Sequence, residues 1–226
     1  MGDLGKYLGD AGTRSAIWTM LLEHVYLSLL PLVISVVLAV VLGWVCHRYG
    51  WFRGALLGTA NIVYTVPSLA LFAIIPAIIG TQVLDINNVV IALTVYTTAL
   101  LTRPVSDALD AVPAQITAAA TAMGFRPLRR FLTVELPLAV PVLFAGLRVG
   151  SVSNISLVSV GALIGTGGLG VLFTDGFRSR YLAPIIVGIV LTLLLALVVD
   201  GLLVALRQWL TPWNTRRGNN LQGAKS

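Results

Sequence analysis

The segment VYLSLLPLVISVVLAVVLGWVC, from Val25 to Cys46, contains no charged side chain and is rich in Leu and Val. A helix needs about 20 such residues to cross the hydrocarbon core of a bilayer. Of the 226 residues in the chain, 57% are hydrophobic and 11% charged, whereas a soluble domain carries roughly 25% charged residues. We therefore predict an all-α polytopic membrane protein embedded in a lipid bilayer.

Four further apolar segments bring the expected number of transmembrane helices to about five. The second lies between Arg53 and Asp85, where Pro67, Pro76 and Gly80 predict a kinked or broken helix followed by a short loop. The remaining spans are predicted at about Asn88–Thr102, Leu136–Val160 and Leu182–Leu206.

The domain boundaries follow from these spans. Residues 1–24 form an extracytoplasmic or interfacial segment in which Thr13–Glu23 is expected to be a short interfacial helix. Residues 25–206 form the transmembrane domain. Residues 207–226 form a polar and partly disordered cytoplasmic tail.

The distribution of basic residues predicts the orientation, because cytoplasmic loops carry an excess of Lys and Arg. With the N-terminus outside, the cytoplasmic loops and tail hold Arg48, Arg53, Arg103, Arg126, Arg129, Arg130, Arg207, Arg216, Arg217 and Lys225. The outer side then holds only Lys6, Arg14, Arg178 and Arg180. We therefore predict the N-terminus outside and the C-terminus in the cytoplasm. No basic stripe with interleaved aromatic residues is present, so the net charge of +6 does not indicate a nucleic-acid partner.

The loop between the third and fourth spans, at about 105–136, carries the most specific pattern. It includes ITAAATAMGFRPLRRFLTVELP, from Ile116 to Pro137. Residues 114–123 are mostly small and favour a short helix, which Gly124 is expected to end. A helix of small residues lets the surface of another protein approach closely.

This loop resembles the cytoplasmic "EAA" loop of ABC-importer permeases. The family pattern begins with Ala-Ala-x-x-x-Gly. After nine further residues it continues with an aliphatic residue, any residue, and Leu-Pro. The matching positions are Ala119, Ala120, Gly124, Val134, Leu136 and Pro137. The leading Glu of the family falls on Ala118, so the contact that this Glu makes is not carried over.

Within that family the chain resembles permeases for quaternary amines such as glycine betaine, carnitine and choline. The segments Asn61–Leu71, Glu135–Arg148 and Ala162–Gly170 are similar to three of their signatures. Methionine-type permeases share the loop and the Gly-rich run, but they match Asn61–Leu71 less well.

The resemblance implies a type I ABC importer-like permease in the bacterial inner membrane. A separate ATPase would bind ATP and Mg, close on ATP binding, and lever the spans from inward-open to outward-open through the docked loop helix. The implied partners are a second permease, identical or paralogous, two ATPase subunits and an extracytoplasmic substrate-binding protein. This chain would bind no cofactor or metal and would not itself be an enzyme, and it has no G-x-x-x-x-G-K-[ST] phosphate loop. The residues expected to couple to the ATPase are Ala119, Ala120, Met123, Gly124, Phe125, Leu136 and Pro137.

Two groups of polar residues are candidates for the translocation path. Asn61, Tyr64 and Ser68 form a polar edge near Pro67. Tyr64 or Tyr96 could contact an ammonium group through cation–π attraction, but ordinary helix packing is the more frequent cause of such residues.

The second group starts at Arg148, within the fourth span, where a charge costs at least ~2.5 kcal/mol if it faces lipid. Ser151 and Asn154 continue its face at helical spacing. Two interpretations of Arg148 remain open, namely an ion pair with Asp200 and direct lining of the path.

Other motifs favour structural roles. The pattern G-x-G-x-x-G at Gly165–Gly170 lacks the strand and acidic residue of a dinucleotide site, so a tight or re-entrant turn is expected. His24 and His47 flank the first span, and neither has an acid or a second His at ligand spacing, which predicts interfacial placement rather than metal or proton chemistry. Asp107 and Asp110 are expected on a solvated face or near the ATPase.

Two alternatives to the osmoprotectant permease are kept. One is an ABC permease for another small polar solute such as methionine. The other is an ion-coupled secondary carrier, which usually buries acids near the membrane midplane and shows repeated halves. Asp200 is the only acid well inside a predicted span, and no repeated halves are visible.

Overall fold

The computed structural model describes residues 2–82 and 85–213 as a helical bundle. The helices are α1 (Gly2–Gly9), α2 (Ala11–Arg48), α3 (Gly50–Thr65), α4 (Ser68–Ile79), α5 (Ile86–Asp110), α6 (Ala114–Ala122), α7 (Pro127–Arg130), α8 (Leu136–Gly161), α9 (Gly170–Ser179) and α10 (Leu182–Leu210). A π-helical turn, Phe131–Glu135, joins α7 to α8, and a short 3₁₀ turn, Ala162–Ile164, follows α8.

Four stretches are long and apolar enough to cross a membrane, namely Ala11–Arg48, Ile86–Asp110, Pro127–Ile164 and Leu182–Leu210. The pair α3 and α4 makes a fifth, bent by 104° at the break before Ser68. This arrangement confirms the predicted all-helical fold with about five spans. It also confirms the break expected from Pro67, whose fixed φ and missing N–H interrupt the helix.

The separate interfacial helix predicted at Thr13–Glu23 is wrong, because one helix runs without interruption from Ala11 to Arg48 and contains the predicted first span. The break in the chain lies instead at Asp10, whose side chain accepts a 2.7 Å hydrogen bond from the Thr13 N–H and caps α2. This bond holds the pKa of Asp10 below its usual value. The predicted boundary at residue 24 therefore falls inside a helix.

The helix that contains the predicted third span extends beyond Thr102. Helix α5 continues through Pro104 to Asp110, so the loop begins at Ala111 rather than at about 105. Gly146 of the neighbouring α8 lies against Pro104, and a Cβ on Gly146 would lie 2.9 Å from Pro104 Cβ. The small residue lets the two helices meet closely at the proline.

Helix α5 forms the centre of the bundle, packed against α2, α3, α4 and α8. Gly43 of α2 lies so close to α5 that an added Cβ would be 2.4 Å from Val105 Cγ1. Two apolar clusters fill the spaces around α5. One is centred on Phe72, Val89 and Leu93, and the other on Leu101, Leu109 and Phe131.

The bounds of the last helices differ slightly from those of the predicted spans. Helix α8 covers Leu136–Gly161, close to the predicted fourth span, and helical structure already begins at Pro127 and passes through the π turn into it. Helix α10 continues to Leu210, so the first residues assigned to the tail are helical. The remainder of the predicted tail, from residue 214, lies outside the described residues.

Candidate functional site: the coupling loop and the membrane surfaces

We call the end of the bundle that carries residues 111–135 the loop end, and the opposite end the turn end. Helix α6 lies at the loop end, where Ala120 is buried and Ile116, Ala119 and Met123 are exposed. These three residues share one helical face at spacings of three and four. The Met123 side chain is 70% exposed. Helix α6 thus presents an apolar stripe outward, and Ala120 holds it to the bundle.

Gly124 ends α6 in the left-handed conformation, with φ of +81°, as the sequence predicted. The Phe125 N–H bonds the Ala120 carbonyl at 3.1 Å, and the Gly124 N–H bonds the Thr121 carbonyl at 3.0 Å. These bonds close the helix end in the manner of a glycine C-cap. The Arg129 guanidinium lies over the Phe125 ring at 4.9 Å from its centre, and this contact stiffens the turn that follows.

The remaining predicted coupling residues are placed differently. Leu136 is half-buried and packs against the apolar cluster around Leu101 and Phe131. Pro137 lines a shallow surface hollow of about 320 Å³ with Val134 and Trp213. Of the predicted set, therefore, Ala119, Met123 and Gly124 form the outward surface, while Ala120 and Leu136 support it from inside.

A network of ion pairs lies directly beneath this loop, and the sequence analysis missed it. Arg130 Nε donates to Glu135 Oε1 at 2.6 Å, and Arg130 Nη1 donates to Thr121 Oγ1 at 2.8 Å. His47 Nδ1 lies 2.6 Å from Asp110 Oδ1. Its Nε2 lies 3.8 Å from Glu135 Oε2. Sequence spacing could not reveal the acid beside His47, because Asp110 is 63 residues away in sequence and adjacent only in the fold.

The same network includes the acids of α5. Arg53, in the first turn of α3, pairs with Asp110 and also donates to Asp107 Oδ1 at 3.1 Å. Arg103 lies 4.0 Å from the other oxygen of Asp107. Asp107 and Asp110 are exposed, as expected, and they also pair with Arg53, which joins the base of the broken span to α5.

The candidate path residues near the break form an aromatic pair. The Tyr64 and Tyr96 rings are 4.8 Å apart between centres and tilted by 37°. Tyr64 is 40% exposed, and Asn61 lies one turn before it on the same exposed face. Ser68 is half-buried at the start of α4. The structure thus brings Asn61, Tyr64 and Tyr96 together on one surface of the bundle.

Arg148 forms the predicted ion pair with Asp200. Its Nε and Nη2 donate to the two carboxylate oxygens at 2.5 and 2.7 Å. The pair lies in a surface hollow of about 450 Å³ between α8 and α10, and the Arg148 side chain remains 42% exposed. The predicted ion pair between Arg148 and Asp200 is confirmed. It lies on the outer surface of the helical bundle.

The expected polar stripe along α8 is wrong, because Ser151 and Asn154 point into the bundle. Asn154 accepts a hydrogen bond from Thr97 Oγ1 and donates one to the Ser28 carbonyl at 3.2 Å. Ser151 Oγ donates to the Arg148 carbonyl at 2.8 Å. These two predicted path residues therefore connect α8 to α2 and α5, or bond within α8, while Arg148 alone reaches the surface.

With this geometry in place, the comparisons with known proteins can be stated. Residues 8–212 match the model of the family described as the binding-protein-dependent transport system inner membrane component. The chain belongs to this family.

Individual relatives agree with that assignment. The osmoprotectant import permease OsmW of Salmonella typhimurium is 34% identical over 86% of this chain and 91% of its own length. The glycine betaine/carnitine/choline permease OpuCB of Bacillus subtilis is 30% identical over 90% and 89%. A chain of the inward-facing MetNI methionine ABC transporter superposes with a TM-score of 0.80 at 19% identity, covering 89% of this chain and 99% of that one. The protein is thus a permease of the inner membrane with the fold of type I ABC importers.

At the turn end of this permease, the Gly-rich motif forms the expected tight turn. Gly165, Gly167 and Gly168 have φ of +87°, +78° and +73°, a region that favours glycine. Glu23 Oε2 accepts a 3.1 Å hydrogen bond from the Gly168 N–H, and a Cβ on Gly167 would lie 2.7 Å from that oxygen. The glycines therefore allow the backbone of the turn to close over α2.

His24 fastens the same turn to two helices, and the prediction that it lies at the membrane interface is wrong. Its ring is fully buried. Nδ1 accepts a 3.1 Å hydrogen bond from the Leu169 N–H, and Nε2 lies 3.0 Å from the Ile155 carbonyl. Because Nδ1 accepts and Nε2 donates, the ring is in the neutral Nε2–H form. His24 joins α2, α8 and the glycine turn.

Proposed function

We propose that this permease carries quaternary-amine osmoprotectants, such as glycine betaine, choline, carnitine or proline betaine, in an ATP-driven ABC importer. The observation that carries the proposal is the similarity to permeases named for osmoprotectant, choline, or glycine betaine/carnitine/choline transport. These relatives are 28–34% identical and match 86–90% of the chain. The similarity extends along the spans and is not confined to the loop.

The aromatic pair at the broken span supports this substrate class. A quaternary ammonium has no N–H to donate, so a protein attracts it chiefly through aromatic faces and dispersion. Tyr64 and Tyr96 offer two adjoining rings beside the amide of Asn61 on one surface. This surface is suited to a weak, transient contact with a cation during passage.

The loop end is proposed to face the cytoplasm and to bind a separate ATPase, which holds ATP and Mg. The apolar stripe of Ile116, Ala119 and Met123 supports this, because it is exposed on a helix that makes few other contacts. A substrate-binding protein would deliver solute at the turn end.

A second permease subunit, identical or paralogous, is proposed to complete the path. The pair Arg148–Asp200 supports this proposal, since a charged pair that is 42% and 29% exposed within spanning helices is costly against lipid. The hollow that contains it is also lined by Val149, Val152 and Ser153. Contact with protein or with an aqueous path removes that cost.

The test measures uptake of labelled glycine betaine, choline, carnitine and methionine at low and high osmolarity. The cells lack this chain but retain its partners, and they are compared with the same cells in which the chain is restored. Restored amine uptake that stops on ATP depletion and survives collapse of the proton gradient supports the proposal. Uptake of methionine alone would identify the other ABC substrate class. Uptake that follows the proton gradient and ignores ATP would contradict an ABC mechanism.

The aromatic surface is tested by comparing Tyr64→Leu with Tyr64→Phe in the same assay. The Leu variant removes the ring and is expected to reduce amine uptake about threefold to tenfold, which corresponds to a cation–π contribution of ~1 kcal/mol. The Phe variant keeps the ring and is expected to retain uptake. Equal uptake by both variants would exclude ring recognition at this position.

A further inference from the structure

The network beneath the loop links three consecutive elements of the loop to the ends of α2 and α5. Thr121 belongs to α6, Arg130 to α7 and Glu135 to the π turn, while His47 ends α2 and Asp110 ends α5. Arg53 extends the network to the start of α3, the first half of the broken span. A series of polar contacts thus runs from α6 to the base of the broken span, and its widest step is the 3.8 Å between His47 Nε2 and Glu135 Oε2.

The π turn is what places Glu135 within this series. In an α-helix, residues five apart point in directions roughly 140° different, because each residue turns by about 100°. The wide turn over Phe131–Glu135, with hydrogen bonds spanning five residues, brings Glu135 to the side on which Arg130 lies. Single π turns of this kind are frequent at functional sites.

Glu135 is only 1% exposed, so its charge depends on its partners. A buried carboxylate is tolerated when it is paired and hydrogen-bonded. Arg130 supplies the pairing at 2.6 Å and reaches Thr121 with a second nitrogen. A displacement of α6 therefore shifts Arg130 through its hydrogen bond to Thr121. A shift of Arg130 in turn disturbs the buried charge of Glu135. The contact between α6 and the bundle is consequently stiff.

We propose that Thr121, Arg130 and Glu135 are positioning residues that transmit the movement of α6, through His47 and Asp110, to Arg53 at the base of the broken span. The inference rests on the proposed docking of α6 to an ATPase. In this arrangement ATP-driven displacement of the loop reaches α3 by ion pairs as well as along the backbone. Loss of the network uncouples ATP hydrolysis from transport without preventing ATPase binding.

The chain offers a closely matched pair of variants for the test. Thr121 and Thr117 lie one turn apart on α6, and both hydroxyls donate to a carbonyl of their own helix. Only Thr121 also accepts from Arg130. Thr121→Val removes that contact while keeping the shape of an exposed side chain, and Thr117→Val is the control.

The assay uses the assembled importer in lipid vesicles and measures the ATP hydrolysed for each solute molecule moved, together with co-purification of the ATPase. For Thr121→Val we expect normal co-purification and transport per ATP lowered on the order of tenfold, the effect of one hydrogen bond to a charged group. Thr117→Val is expected to behave as wild type. Equal behaviour of the two variants would overturn the proposal.

A second pair addresses the buried end of the network. Arg130→Gln removes one positive charge from the network, and Arg48→Gln removes one from an exposed position at the same end of the bundle. We expect only Arg130→Gln to lower transport per ATP. Adding Thr121→Val to Arg130→Gln is expected to cause no further loss, because both act on one contact. Additive losses would contradict a single connected series.

These outcomes are distinct from failure of the docking proposal itself. If the ATPase does not co-purify with the wild-type permease, the docking of α6 is wrong whatever the variants show. If it co-purifies with every variant and transport per ATP is unchanged, only the network proposal is wrong.

Discussion

At the scale of single residues, Gly124 gives the sharpest test of the loop. Its φ of +81° suits Gly and is tolerated by Asn and Asp. Gly124→Asp is expected to abolish transport, because it places a charge beside the outward surface of α6, while the chain remains in the membrane. Gly124→Asn keeps the backbone conformation without the charge and is expected to transport. Uptake assays and membrane immunoblots measure both effects, and unchanged uptake by the Asp variant would exclude docking there.

His24 predicts a stability effect at the opposite end. His24→Leu leaves the buried Leu169 N–H and Ile155 carbonyl without their side-chain partner. Each such loss costs about 1–3 kcal/mol, so a lower Tm of the purified permease is expected. Thr19→Val, which removes an exposed hydroxyl bonded within α2, is the control and is expected to leave Tm unchanged. An unaltered Tm for His24→Leu would contradict the fastening role.

At the scale of elements, α6 shows how much of the site was predictable. The Ala-rich segment and Gly124 predicted a short helix and its end, because both depend on local backbone preferences. The division between outward Met123 and inward Ala120 was not predictable, since most residues of this helix are small or apolar on every side. Burial against the rest of the chain decides which face remains open.

Met123→Asp tests that open face. We expect at least a tenfold loss of ATPase co-purification, because a charge replaces the most exposed side chain of the apolar stripe. Ala114→Asp serves as the control, since it adds the same charge at the helix N-terminus, away from the stripe, where an acid is favourable. Co-purification that is equally strong with both variants would show that the stripe does not bind the ATPase.

At the scale of the whole molecule, the Arg148–Asp200 pair distinguishes structural pairing from a role at an interface or path. Arg148→Leu leaves Asp200 unpaired and is expected to lower the yield and Tm of the permease, whereas Arg148→Leu with Asp200→Leu restores both. If the ion pair serves only to stabilise the fold, the double variant transports normally. If the hollow meets the second permease or the path, the stable double variant loses uptake or assembly.

The sequence alone determined the membrane class, the number of spans, the broken second span and the loop motif between the third and fourth spans. Each of these depends on neighbouring residues, through apolar length, proline and glycine chemistry, or a motif of fixed spacing. The tertiary structure alone decided that His47 meets Asp110, that α5 continues through Pro104, that Asn154 points inward and that Glu135 is buried in an ion-pair network. These features depend on which helix lies opposite, and residues far apart in the chain supply the partners that make a buried charge or amide stable.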